Sequence, residues 1–171
     1  EAAYLDGYGG VTAAPFFGAE RRGAPVLASN RFGREPVKTF SLVDSPDVVV
    51  VLDEALLQVV NVASGVRPDG IVIINTAKPP DSVELKAVVN IATTNATGCA
   101  KEAGLIVAGS VIFNTAILGG FSKATGLVSM ESIEKALLQH FHGPAADKNV
   151  RGAWLAYEAT ITLTECQLAC A

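Results

Sequence analysis

Charge and aromatic rings are scarce in this 171-residue chain: 18% of residues are Asp, Glu, Lys or Arg and 6% are Phe, Trp or Tyr. It has three cysteines, and they cannot all pair within one chain. Cys99 also lies far in sequence from Cys166 and Cys170, which argues against a disulfide framework. The Cys166-x-x-x-Cys170 spacing could set two thiols on one helical face, but iron–sulfur clusters usually take four thiolates at tighter spacings. These cysteines are therefore read as inert thiols, and no metal site is expected.

A basic stripe is also lacking. Thirteen Lys and Arg face seventeen Asp and Glu, for a net charge of −4, and the basic residues are scattered except at Arg21-Arg22. Nucleic-acid binding needs clustered positive charge, so that class is excluded. Apolar runs such as 48–52 and 71–74 fall far short of the roughly 20 residues that span a bilayer, and no signal-peptide pattern opens the chain. The protein reads as cytoplasmic, without a membrane partner. Neither a Ser/His/Asp set nor a His/Glu metal spacing is visible, and His140 and His142 at a helix end suit its negative dipole. No catalytic residue is assigned, and catalysis by the chain alone is not expected.

What is present is a chain half apolar, long enough for one domain with a single core. So much apolar content beside so little charge fits strands buried on both faces and a surface covered by partners. Residues 1–5 read as the last turn of a helix whose start lies upstream, stopped by Gly7, Gly9 and Gly10. Residues 24–32 and 37–42 read as a hairpin or adjacent strands separated by turn residues 33–36. Residues 47–52 and 71–76 are continuous β-branched runs of the buried, parallel type, and 88–94 is a third strand. Helices are expected over 54–61, with Asp53 as N-cap, and over 96–103, 111–124, 129–141 and 145–159. Ser129 can cap the fourth of these, with Glu131 and Glu134 near its positive end. The alternation implies an α/β fold: an open, mostly parallel, Rossmann-like sheet with helices on both faces and a helical C-terminal third. Residues 1–171 are taken as one domain, with 1–10 the tail of a truncated first helix and 162–171 a C-terminal tail.

In open α/β sheets ligands sit beyond the carboxyl ends of the strands, which directs attention to Asp53-Glu54 and Asn75-Thr76. Asp53 can also be an ordinary N-cap, and Asn75-Thr76 can equally bond neighbouring backbone. The most unusual stretch is Pro15-Phe16-Phe17-Gly18-Ala19-Glu20-Arg21-Arg22-Gly23-Ala24-Pro25-Val26. Gly18 and Gly23 allow close backbone approach, Arg21 and Arg22 offer rigid forks for phosphate or carboxylate, and Glu20 can orient them. Phe16 and Phe17 belong to a core or an interface.

With this motif the chain resembles the gamma subunits of 2-oxoacid:ferredoxin oxidoreductases, of the pyruvate or 2-ketoisovalerate type. The resemblance extends through Ile74-Asn75-Thr76, Asn114-Thr115-Ala116-Ile117-Leu118-Gly119-Gly120-Phe121-x-Lys123-Ala124-Thr125-Gly126, Ser132-Ile133-Glu134-Lys135-Ala136 and Lys148-Asn149. The strand and Gly-x-Gly-Gly-Gln-Gly turn that usually open such subunits are missing here, and Cys166 to Ala171 has no counterpart. The resemblance implies a non-autonomous subunit of a coenzyme A-dependent pyruvate:ferredoxin oxidoreductase (pyruvate synthase), which decarboxylates the 2-oxoacid oxidatively to acyl-CoA. Thiamine diphosphate, Mg2+ and [4Fe-4S] clusters would be held by alpha, beta and delta partners, with ferredoxin as electron acceptor. Glu20, Arg21, Arg22 and Gly23, with Asn75, Asn114 and Thr115, would then line a coenzyme A crevice or a subunit contact, and Gly119 and Gly120 would allow close helix packing. Two other readings stay open: a free-standing nucleotide-binding carrier domain, suggested by the α/β pattern alone, and a purely architectural subunit.

Overall fold

A computed structural model describes residues 1–16, 25–39, 41, 43–85 and 89–163. In chain order the elements are α1 (Ala2–Leu5), β1 (Gly10–Phe16), β2 (Leu27–Gly33), β3 (Val48–Val51), α2 (Leu56–Val59), β4 (Ile71–Asn75), β5 (Asn90–Thr94), α3 (Ala96–Glu102), β6 (Ile106–Val107), β7 (Ser110–Val111), α4 (Ile117–Thr125), α5 (Met130–His140), α6 (Pro144–Ala159) and β8 (Ile161–Thr162). The central sheet runs β3-β4-β5-β8, with β3, β4 and β5 parallel and β8 antiparallel to β5.

Of the two β-branched runs, that of β4 sits inside this sheet with both faces covered, whereas the valine run is the edge strand β3, of which only Val51 is buried. Val72, Ile73 and Ile74 of β4 have no solvent exposure, and burying each such side chain is worth about 1.5–3 kcal/mol. Val72 and Ile74 join Val51 and Ala63 on one face, closed over by Leu56 and Leu57 of α2 and by Val83 and Leu85. Alternation sends Ile73 to the opposite face, where α4 and α6 lie against β4 and β5. There the Thr94 hydroxyl donates to the Ala156 carbonyl at 3.2 Å.

The helical layer is held by close backbone approach as well as by apolar contact. A Cβ on Gly119 of α4 would lie 1.8 Å from the Ala153 carbonyl oxygen of α6, so only glycine fits that crossing. α4 stops at Gly126, whose φ of +62° is the left-handed cap that favours glycine. Ser129 caps α5 by accepting from the Ser132 amide, as its sequence position predicts. Asp6 reinforces that cap, accepting from the Ser129 amide at 3.1 Å and from the Ser132 hydroxyl at 2.8 Å. The β1–β2 hairpin docks on the helices through Phe32, whose ring meets Tyr8 edge-on at 5.0 Å and Phe121 at 6.4 Å. α5 ends at His140, whose imidazole meets the Glu1 carboxylate.

Three expectations are corrected. Residues 27–33 do pair antiparallel, but with the preceding strand β1 and not with the described residues of 37–42; residues 40 and 42 are not among those described. Residues 37–39 carry no strand; the Arg31 guanidinium instead holds this stretch by donating to the Thr39 and Ser41 carbonyls. The helix expected over 111–124 begins only at Ile117, because Ala108 and Gly109, both at positive φ, turn a short β6–β7 hairpin ahead of it. The helix expected over 54–61 contracts to four residues, and its N-cap is Ala55 and not Asp53, whose carboxylate instead accepts from the Ala55 amide at 2.9 Å. β5 begins at Asn90, and Val88 lies outside the described residues, as do Cys166 and Cys170.

Candidate functional site

Because β3 and β4 are parallel, their carboxyl ends share one edge of the sheet, and the polar residues that follow each strand meet there. A cleft of about 290 Å³ opens at this edge, lined by Leu52, Asp53, Glu54, Asn75, Thr97 and Phe113. Leu52 to Glu54 come from the end of β3, Asn75 from the end of β4, Thr97 from the first turn of α3, and Phe113 from the segment between β7 and α4.

Asn75 is the hinge pin of this edge. It is 9% exposed, and its amide nitrogen donates to the Leu52 carbonyl at 3.0 Å and to the Thr97 hydroxyl at 2.9 Å. Its amide oxygen accepts from the Thr97 backbone N–H at 3.2 Å. One side chain therefore ties the end of β3 to the start of α3, with both of its donor hydrogens and one acceptor direction used within the protein.

Beside it, the Thr76 hydroxyl donates to Glu54 at 2.6 Å and accepts from the Lys78 amide at 3.2 Å, while the Lys78 ammonium forms an ion pair with Glu54. The Lys78 ammonium, and after it the Thr76 hydroxyl, hold the Glu54 carboxyl below its ordinary value. Glu54 is thus a matched charge, and the exposed Asp53 is the carboxylate of the cleft that pairs with no cation among the described residues.

The sequence-predicted residues divide. Asn75 lies in the cleft wall. Asn114 is exposed and adjoins Phe113 in the chain. Thr115 turns away into the helical layer, where its hydroxyl donates to the buried Asn149 side chain at 2.6 Å, and Asn149 in turn donates to the Ala145 carbonyl at 2.8 Å. Glu20, Arg21, Arg22 and Gly23 lie outside the described residues, in the sequence between β1 and β2. Thr97 and Phe113 were not anticipated; the position of Thr97, three residues beyond β5, is the signal that the same strand-end rule could have used.

Among the described residues no group of three or more His, Cys, Asp or Glu side chains could hold a metal ion, and no helix is long and apolar enough to cross a membrane. Cys99 is buried and unpaired, and burial pushes its thiol up, away from the reactive thiolate form.

Comparison with known proteins bears on what this cleft serves. The family model described as pyruvate ferredoxin/flavodoxin oxidoreductase matches residues 1–159. The pyruvate/ketoisovalerate oxidoreductases common subunit gamma of Pyrococcus furiosus is 47% identical over 163 residues, covering 94% of this chain and 85% of that one. The pyruvate synthase subunit PorC of Methanothermobacter marburgensis is 47% identical over 144 residues, covering 84% of this chain and 77% of that one. Among solved structures, pyruvate oxidoreductase subunit PORC from Thermotoga maritima superposes with a TM-score of 0.80 at 35% identity, covering 95% of this chain and 86% of that one.

Proposed function

Since the chain belongs to the pyruvate ferredoxin/flavodoxin oxidoreductase family, we infer that it is the gamma subunit of a pyruvate/ketoisovalerate-type ferredoxin oxidoreductase and that it forms part of the coenzyme A crevice of the assembled enzyme. The observation that carries this reading is a family match over residues 1–159, with a polar cleft at the ligand-binding edge of the sheet. The complex oxidises pyruvate or a related 2-oxoacid to acyl-CoA in the cytoplasm and passes the electrons to ferredoxin.

Thiamine diphosphate, Mg2+ and iron–sulfur clusters supply the decarboxylation and electron-transfer chemistry of such a complex. The resemblance assigns these groups to alpha, beta and delta partners; among the described residues no group of three or more His, Cys, Asp or Glu could hold a metal ion. The part of this chain is to bind and to cover. Arg21 and Arg22, oriented by Glu20 beside Gly23, engage the coenzyme A phosphates, and the sheet edge shields the reacting centre from water. Exposed apolar side chains such as Val26 at 74%, Val59 at 71% and Val107 at 64% are consistent with a surface that other subunits cover.

The test is kinetic. In the assembled complex, Arg21→Ala and Arg22→Ala should each raise the apparent KM for coenzyme A by about tenfold, the loss of one charge-assisted hydrogen-bonded contact, with little change in KM for pyruvate. An unchanged KM for coenzyme A in an intact complex would remove the assignment. Loss of assembly alone, with normal coenzyme A affinity in what remains, would make the chain architectural.

A further inference from the structure

The hydrogen bonds around Asn75 dictate which way the Thr97 hydroxyl can act. The Leu52 carbonyl can only accept and the Thr97 backbone N–H can only donate, and both are bonded to the Asn75 amide. Its orientation is therefore fixed, with the nitrogen turned to the Thr97 hydroxyl, which must accept at 2.9 Å. The Thr97 proton is then free to donate elsewhere, from an exposed residue in the wall of the cleft.

Three further features define what could meet it. Asp53 lines the same cleft with an exposed carboxylate, one of whose oxygens accepts from the Ala55 amide; a carboxylate has about four lone-pair directions, so acceptor capacity remains. Phe113 supplies an aromatic wall. Among the described residues no Lys or Arg lines the cleft, and the nearby Lys78 ammonium is held by Glu54, so of the described side chains a phosphate there would meet carboxylates. The volume of about 290 Å³ lies at the bottom of the ~300–1,000 Å³ range of whole-ligand pockets, which suits one fragment of a larger molecule.

A neutral fragment that carries a donor beside an acceptor and has a flat face is an adenine ring: its amino group donates, its neighbouring ring nitrogen accepts, and its face stacks on aromatic side chains. We propose that this cleft takes the adenine of coenzyme A, with Thr97 donating to a ring nitrogen, Asp53 accepting from the amino group and Phe113 covering a ring face. Asn75 is the positioning residue that aims the Thr97 proton. The inference rests on the coenzyme A reading above and divides the work: the phosphates go to Arg21 and Arg22, and the base goes to the sheet edge.

The experiment uses the purified complex with coenzyme A, its deaminated hypoxanthine analogue, and pantetheine as a competitive ligand lacking the nucleotide. Thr97→Val should raise KM for coenzyme A by about five- to tenfold, the loss of one hydrogen bond, and leave pantetheine inhibition unchanged; Thr97→Ser should restore it. Asp53→Asn, at an exposed position where folding is not at stake, should narrow the preference for coenzyme A over the hypoxanthine analogue, whose amino donor is replaced by an acceptor. If Arg21→Ala or Arg22→Ala weakens coenzyme A while Thr97→Val and Asp53→Asn do not, the adenine assignment is wrong and the subunit reading stands. Equal weakening of pantetheine would place the pantetheine arm in the cleft and also overturn it. If none of these variants, the arginines included, alters coenzyme A affinity, the coenzyme A reading itself fails.

Discussion

Where α4 crosses α6, two backbones touch without side chains between them, whereas at the carboxyl edge of the sheet the neighbouring segments are joined by side-chain amides, hydroxyls and carboxylates around an open cleft. At the helix crossing, Gly119 faces the Ala153 and Tyr157 backbone and Gly120 faces Thr94. At the sheet edge, Asn75, Thr76 and Glu54 hold the end of β3, the end of β4 and the start of α3 in register. Apolar close packing is strong and indifferent to ligands; a polar clamp is weaker, but it fixes the direction of each donor and acceptor. The comparison teaches that rigidity and recognition are built in different halves of this domain, and that damage to each should appear in different measurements.

The largest effect is expected from the helix crossing. Gly119→Ala should cost about 2–3 kcal/mol in denaturant unfolding of the chain, because the added methyl meets backbone that has no rotamer to give way. A loss below about 0.5 kcal/mol would mean that the crossing relaxes and that the contrast between the two halves is false. Asn75→Ala comes next: it deletes three hydrogen bonds and should cost about 2 kcal/mol. Unlike Gly119→Ala, it should also raise KM for coenzyme A in complexes that still assemble.

Both sites show why part of this molecule was legible in its sequence and part was not. The valine run 48–51 and the Ile-Val-Ile-Ile run of β4 announce themselves as strands, though only the second proves buried throughout its middle, and Ser129 announces the start of α5, because each signal lies within a few residues of the element it controls. The pairing of β1 with β2 brings together residues on either side of a ten-residue interval, and nothing local in Gly10–Phe16 names that partner. The late start of α4 turns on Ala108 adopting a positive φ, which an alanine does not advertise. Asn75 was legible as a strand-end residue; that both its amide hydrogens are used, and that it hands the exposed donor to Thr97, depends on segments 22 residues apart in the chain.

Smaller effects test the remaining polar junctions. The Ser129 and then the Ser132 hydroxyls hold the Asp6 carboxyl below its ordinary value of 3.8. A lowered folded-state value stabilises the fold above pH 3.8, and that contribution is lost as pH falls through the folded-state value. Asp6→Asn should therefore be less stable than the parent near neutral pH, by less than about 1 kcal/mol at so exposed a site. The difference should vanish in acid-titrated unfolding curves, and a gap that persisted at low pH would show that the carboxylate charge is not what holds α1 to α5. The smallest effect is expected from Glu54→Gln. Its ion pair with Lys78 is solvent-facing, so unfolding should change by no more than about 0.5 kcal/mol, and a larger loss would make that rim part of the structural frame.

Isolation of the chain from its native cell under anaerobic conditions, through a C-terminal tag, asks whether this domain works only in company. The expected preparation contains larger partner subunits, shows visible iron–sulfur absorption and oxidises pyruvate only when coenzyme A is present. A colourless, monomeric chain that binds a nucleotide without partners would contradict the subunit reading and establish a free-standing carrier domain in its place.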